Sequence, residues 1–135
     1  MTLCALGAAT MPTLTTIATA RVPAHSASRD AVVTGYVRVC GGPAPGGCRI
    51  ETFGDCQPGR GCVTSDRVAA VNAKGKRVAV QRLRHARFHM RLAHGRYTME
   101  LLGDGQGLRG RIMQRKQVTA RAHHTVVVQF FFAVP

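Results

Sequence analysis

The stretch RFHMRLAHGRYTMEL, Arg87 to Leu101, decides the fold class. Phe88, Met90 and Leu92 alternate with His89 and Arg91; after Ala93-His94-Gly95, Tyr97, Met99 and Leu101 alternate with Thr98 and Glu100. A side-chain period of two belongs to strands with one face in a core, and a glycine-containing break between two such runs reads as the turn of a β-hairpin. The expectation is an all-β protein with these two strands paired. No reactive constellation lies within the stretch.

The same pattern recurs on both sides. Ala31 to Val39 sets Val33, Gly35, Val37 and Val39 against Thr34, Tyr36 and Arg38, a first strand. Asp66 to Ala73 and Lys76 to Leu83 read as a pair joined by the turn Asn72-Ala73-Lys74-Gly75. Beyond the turn residues Gly103-Asp104-Gly105-Gln106-Gly107, Leu108 to Thr119 is a weaker, base-rich strand. It suits a sheet edge, where cationic side chains discourage aggregation.

His124 to Val134 closes the chain with Val126, Val128, Phe130 and Phe132 on one face and Thr125, Val127, Gln129 and Phe131 on the other. Both faces carry apolar residues. That favours a central strand covered on both sides by the leader-proximal segment or the cysteine loop, and a partner or dimer surface is the alternative. No window of helical length shows a 3.6-residue period. About seven short strands with regular turns describe a single β-sandwich.

Between Cys40 and Cys62 the chain is rich in Gly and Pro and poor in apolar residues, a long irregular loop after the first strand with room for a short strand at Arg49 to Thr52. Such a segment holds no core of its own, and covalent cross-links are the means of ordering it. Cys40, Cys48, Cys56 and Cys62 are an even set, which favours two disulfides with three connectivities open. A four-thiolate zinc site is the competing reading, but the set contains no Cys-x-x-Cys pair.

Residues 1–28 differ from the rest: rich in Leu, Ala, Thr and Gly, with no acid and no base before Arg21. Pro12 and six threonines make the segment too broken to span a membrane. Small-residue sites at Ala18-Thr19-Ala20 and Ser26-Ala27-Ser28 suit signal-peptide cleavage, with a disordered leader as the alternative. Cys4 leaves with such a leader. The domain proper is then 31–135, secreted or associated with the cell envelope.

Nineteen Lys and Arg against six Asp and Glu give a net charge of +13. The bases, sixteen of them Arg, are dispersed along the strands instead of gathered in one run. This favours non-specific affinity for anions such as nucleic acid, acidic lipid headgroups or anionic envelope polymers, and argues against specific nucleic-acid recognition. Arg38, Arg82, Arg84, Arg87 and Arg91 are the candidate anion-binding surface.

Enzymatic and metal readings find little purchase. His85 and His89, four apart, would suit a metal on a helix, but on a strand they stand about 13 Å apart. His123-His124 falls in the last turn. Ser26, Ser28 and Ser65 are the only serines, and none sits in a Gly-x-Ser-x-Gly elbow. Zincin and phosphate-loop motifs are absent. There is no Trp, and with Tyr97 in the core only Tyr36 is left as a sugar-stacking ring. No cofactor or metal is implied.

The order of turns and core positions resembles carboxypeptidase regulatory-like domains, the immunoglobulin-like, transthyretin-like or prealbumin-like sandwiches also related to collagen-adhesin B-type repeats. The residues that carry the resemblance are Val33-Thr34-Gly35-Tyr36-Val37, Gly42-Pro43-Ala44-Pro45-Gly46, Val71-Asn72-Ala73-Lys74-Gly75-Lys76 and Ala86-Arg87-Phe88. Leu92-Ala93-His94-Gly95-Arg96-Tyr97 is similar to the family's L-x-P-G-x-Y. The cysteine-bearing insert looks like that of small exported actinobacterial proteins.

The resemblance covers about 31–135 and implies a non-catalytic module for structural or binding roles. Two chemistries found in relatives are not matched. The first strand has no Lys for an isopeptide bond, the only Asn is Asn72 in a turn, and the chain does not end in Tyr-Arg-Gly-Ser. The expected function is a secreted, disulfide-stabilised sandwich docking on an anionic polymer or a partner protein, with a basic nucleic-acid-binding module as the alternative.

Overall fold

Alternation from Ala31 to Gly41 buries every odd residue as far as Val37, and this strand, β1, organises the first of two sheets in a computed structural model. The structure describes residues 30–42, 47–59, 61–104 and 110–135. Among them are nine strands and no helix: β1 Ala31–Gly41, β2 Cys48–Ile50, β3 Gly54–Gln57, β4 Gly61–Asn72, β5 Arg77–Arg82, β6 Arg87–Leu92, β7 Gly95–Asp104, β8 Ile112–Ala120 and β9 Thr125–Val134. The expected all-β sandwich is present. Its strand count is nine instead of seven because the cysteine segment contributes β2 and β3. The leader 1–28, Pro43-Ala44-Pro45-Gly46 and residues 105–109 lie outside the described residues.

In the first sheet β1 is central. β6 pairs antiparallel with its first half (Val33↔Met90) and β2 with its second half (Cys40↔Cys48). β9 pairs parallel along its other side, from Val32↔Thr125 to Gly41↔Val134. In the second sheet β4 is central, flanked by β3 and β5 on one side and by β7, then β8, on the other. The β4–β5 hairpin turns where the sequence places it: the Asn72 side chain accepts from the backbone N–H groups of Lys74 and Lys76. Among the described residues β8 pairs only with β7 and is the expected base-rich edge.

The opening stretch is the main correction. Its two runs are strands, but they do not pair with each other. β6 belongs to the sheet of β1 and β7 to the sheet of β4, so Ala93 and His94 cross between sheets. Both strands are amphipathic, and each completes a different sheet while contributing to the same core. The Tyr97 hydroxyl, partly buried against that core, donates to the Ala93 carbonyl at 2.9 Å and pins the crossing.

A second crossing corrects His85. It lies in the tight turn between β5 and β6, where Arg84 and Arg87 exchange backbone hydrogen bonds and His85 and Ala86 have φ of 50° and 59°. The strand separation expected between His85 and His89 therefore does not apply.

The core lies between the sheets. Val33, Val37, Val68, Met99, Leu101 and Phe130 are fully buried, and Phe88 tilts against Phe130 with ring centroids 6.2 Å apart. Each such side chain taken from water contributes about 1.5–3 kcal/mol. Gly35 leaves space for this packing: a Cβ there would fall on the Val128 carbonyl oxygen and the Phe88 ring. Among the described residues, no buried core residue comes from the cysteine segment before Val63.

Two disulfides order that segment instead. Cys40–Cys48 links β1 to β2 and Cys56–Cys62 links β3 to β4, each between residues directly opposite in register. Of the three connectivities open in the sequence, the sequential one is formed.

Candidate functional site

The acids of the chain are distributed unequally between the two sheets. Asp55, Asp66, Glu100 and Asp104 all lie on strands of the β4 sheet, whereas β1, β2, β6 and β9 contain no Asp or Glu. Those four strands carry Arg38, Arg49, Arg87 and Arg91. In the β4 sheet several bases are matched by acids. Arg82 holds Asp66 at 3.0 Å, Arg77 and Arg115 each hold Glu100 at 3.2 Å, and Arg111 lies 3.8 Å from Asp55.

The outward face of the β1 sheet follows from register. Arg87, His89 and Arg91 of β6 stand beside Tyr36, Thr34 and Val32 of β1. Gln129 and Val127 of β9 flank Tyr36 and Thr34, while Phe131 and Ile50 flank Arg38. Neighbouring strands lie about 4.8 Å apart and successive residues on one face about 6.6 Å apart, so these groups form one continuous surface. The Arg87 guanidinium sits 5.9 Å from the centre of the Tyr36 ring, and the Tyr36 hydroxyl donates to Gln129 Oε1 at 3.4 Å. Both contacts orient the tyrosine and the arginine on the sheet.

Apolar groups share the face: Val127 is 64% exposed, Phe131 45% and Ile50 42%. This corrects the expectation that the last strand is central. Among the described residues β9 pairs with β1 alone and is an edge strand, and Val127 and Phe131 face outward and exposed. Phe132, on the inner face, stacks on Phe53 with centroids 3.9 Å apart.

Of the five candidate arginines, Arg38, Arg87 and Arg91 come together on this face. Arg84 bridges to Arg87 at the corner between sheets. Arg82 does not join them: it lies on β5 in the other sheet, occupied by Asp66. Sequence reasoning missed Phe131, Val127, Ile50 and Tyr36 as neighbours of these bases. The parity of β1 and β9 contained that information, but using it required knowing that the first and last strands pair in parallel.

Other candidate chemistry is placed apart. Among the described residues no group of three His, Cys, Asp or Glu side chains is arranged to hold a metal ion, and no helix is long and apolar enough to cross a membrane. Ser65 is buried and its hydroxyl accepts from the Phe53 N–H, a structural use. Comparison with protein-family models, curated proteins and solved structures gives no match for this chain.

Proposed function

We propose that this chain is an exported, non-catalytic β-sandwich module that docks on an anionic envelope polymer through the outward face of the β1 sheet. One observation carries the reading: the four strands of that sheet hold arginines and no acid, while on the opposite sheet Asp55, Asp66 and Glu100 are ion-paired with arginines. A surface of one sign raises the local concentration of oppositely charged chains, and Arg binds phosphate and carboxylate groups through its planar fork. Two disulfides in a small domain support an oxidising compartment. The carboxypeptidase regulatory-like assignment is proposed on the turn and core positions, supported by the two-sheet all-β arrangement.

Poly(glycerol phosphate) is a direct probe. Replacing Arg87 and Arg91 with Gln is expected to weaken binding about tenfold, from two lost charge-assisted contacts. Arg82→Gln, on the opposite sheet, should leave binding unchanged. Equal losses from both variants would show undirected charge and overturn the assignment of the face.

A second reading, a module for single-stranded nucleic acid, is favoured by Tyr36 and Phe131 on the same face as the arginines, since bases stack on exposed aromatic rings. Filter binding of oligo(dT) across a salt series separates it: retention above physiological salt that depends on Phe131 supports stacking, and loss by that point leaves charge alone.

A further inference from the structure

The outward face of the other sheet is shaped differently. A depression of about 910 Å³ opens over β7 and β8 at their junction with the β4–β5 turn. This volume falls within the range typical of small-molecule sites. Besides Asn72, whose side chain serves the β4–β5 turn, and Tyr97, bonded to Ala93, its polar lining comes from Arg96, Thr98 and Glu100 on β7 and Arg115, Gln117 and Thr119 on β8. Register sets them in three rows, Arg96 beside Thr119, Thr98 beside Gln117 and Glu100 beside Arg115.

Glu100 is the only acid in the lining and it is already engaged. It is 7% exposed, with one carboxylate oxygen accepting from Arg115 at 3.2 Å and the other from Arg77 at 3.2 Å. Its charge is answered within the protein, and in return it holds the Arg115 guanidinium in place, with donors left over. Arg96 forms no ion pair, and the side chains of Thr98, Gln117 and Thr119 have no hydrogen-bond partner among the described residues. The depression therefore offers two cationic forks beside two hydroxyls and an amide.

We propose that this depression binds an acidic oligosaccharide, its carboxylates on Arg96 and Arg115 and its ring hydroxyls on Thr98, Gln117 and Thr119. A ligand with both carboxylates and hydroxyls uses every unspent group, whereas a simple anion leaves the hydroxyl and amide row unmatched. No exposed ring is needed, because recognition runs through charge and hydrogen bonds. The site lies on the sheet opposite the cationic face and does not depend on the function proposed for that face.

A short oligogalacturonate is the probe, followed by amide chemical shifts of the oxidised protein at physiological salt. Shifts confined to residues 96–100 and 115–119 are expected, with no response to a neutral oligogalactose of the same length. Arg96→Ala should weaken binding about tenfold and Thr98→Val, which keeps shape and suits a strand, about threefold. Arg87→Gln with Arg91→Gln should change nothing here. Equal binding of the neutral oligomer, shifts mapping to the β1 sheet, or a Thr98→Val variant that binds as tightly as the parent would each overturn the proposal. Failure of this test would leave the polymer-docking face untouched, since that face is read by different variants.

Discussion

Ser65 shows how a single residue can be legible in the sequence yet have its role decided by the fold. As one of three serines outside any nucleophile elbow it carries no catalytic signature, and its buried position in β4 makes it an anchor. Its hydroxyl accepts from the Phe53 N–H at 2.9 Å while its own N–H donates to the Phe53 carbonyl at 2.8 Å. These bonds fix the segment that crosses from β2 to β3 and hold the Phe53 ring on Phe132. Ser65→Ala removes the acceptor of a part-buried N–H and is expected to cost about 1–3 kcal/mol. Denaturant unfolding measures it, and a loss below about 0.5 kcal/mol would mean that water replaces the hydroxyl.

At the scale of elements, two glutamines close the gaps between sheets. The Gln81 side chain accepts from the His89 N–H at 3.1 Å, joining β5 to the edge of β6. Gln114 of β8 pairs with the Phe131 peptide of β9: its amide donates to the Phe131 carbonyl and its oxygen accepts from the Phe131 N–H at 3.2 Å. A side-chain amide here occupies a peptide that a further strand would otherwise use, and unpaired edge peptides invite association. Gln114→Ala should therefore lower stability by about 1–2 kcal/mol and produce concentration-dependent association seen by light scattering. An unchanged melting profile and mass would show that the pairing contributes nothing. Strand alternation was readable in β6, β7 and β9, since it needs only local periodicity. Their partners were not, because a strand that is apolar on one face looks the same whether it folds back on its neighbour or crosses to another sheet.

Across the whole molecule the disulfides and the core divide the work. The core cluster draws on β1 and on strands from β4 onward, whereas β2 and β3 contribute no buried residue to it and depend on Cys40–Cys48 and Cys56–Cys62. Each bridge closes a short loop and contributes roughly 2–3 kcal/mol by limiting the unfolded chain. Reduction is expected to raise hydrogen exchange over residues 47–62 while the amides of Val33, Val68, Met99 and Phe130 stay protected. Global loss of protection on reduction would show that the bridges hold the sandwich itself together. The charge division is also a property of the whole: acids stand beside bases on the β4 sheet and are missing from the β1 sheet, and no single strand reveals that.

The sequence by itself determined the all-β class, the first strand, the Asn72 turn, the cationic edge strand and the parity of inward and outward residues, because these depend on side-chain period and turn chemistry over a few residues. It also brought out the four cysteines as bridge formers, since the segment between them has too little apolar surface to order itself. Tertiary structure alone decided that Arg87 to Leu101 crosses between sheets, that β9 lies beside β1 at an edge, and that Arg38, Arg87 and Arg91 share a face from which Arg82 is excluded. Those outcomes rest on pairing between residues as far apart as Val32 and Thr125. Such pairing is set by how two amphipathic sheets jointly bury one core, and local periodicity carries no record of that choice.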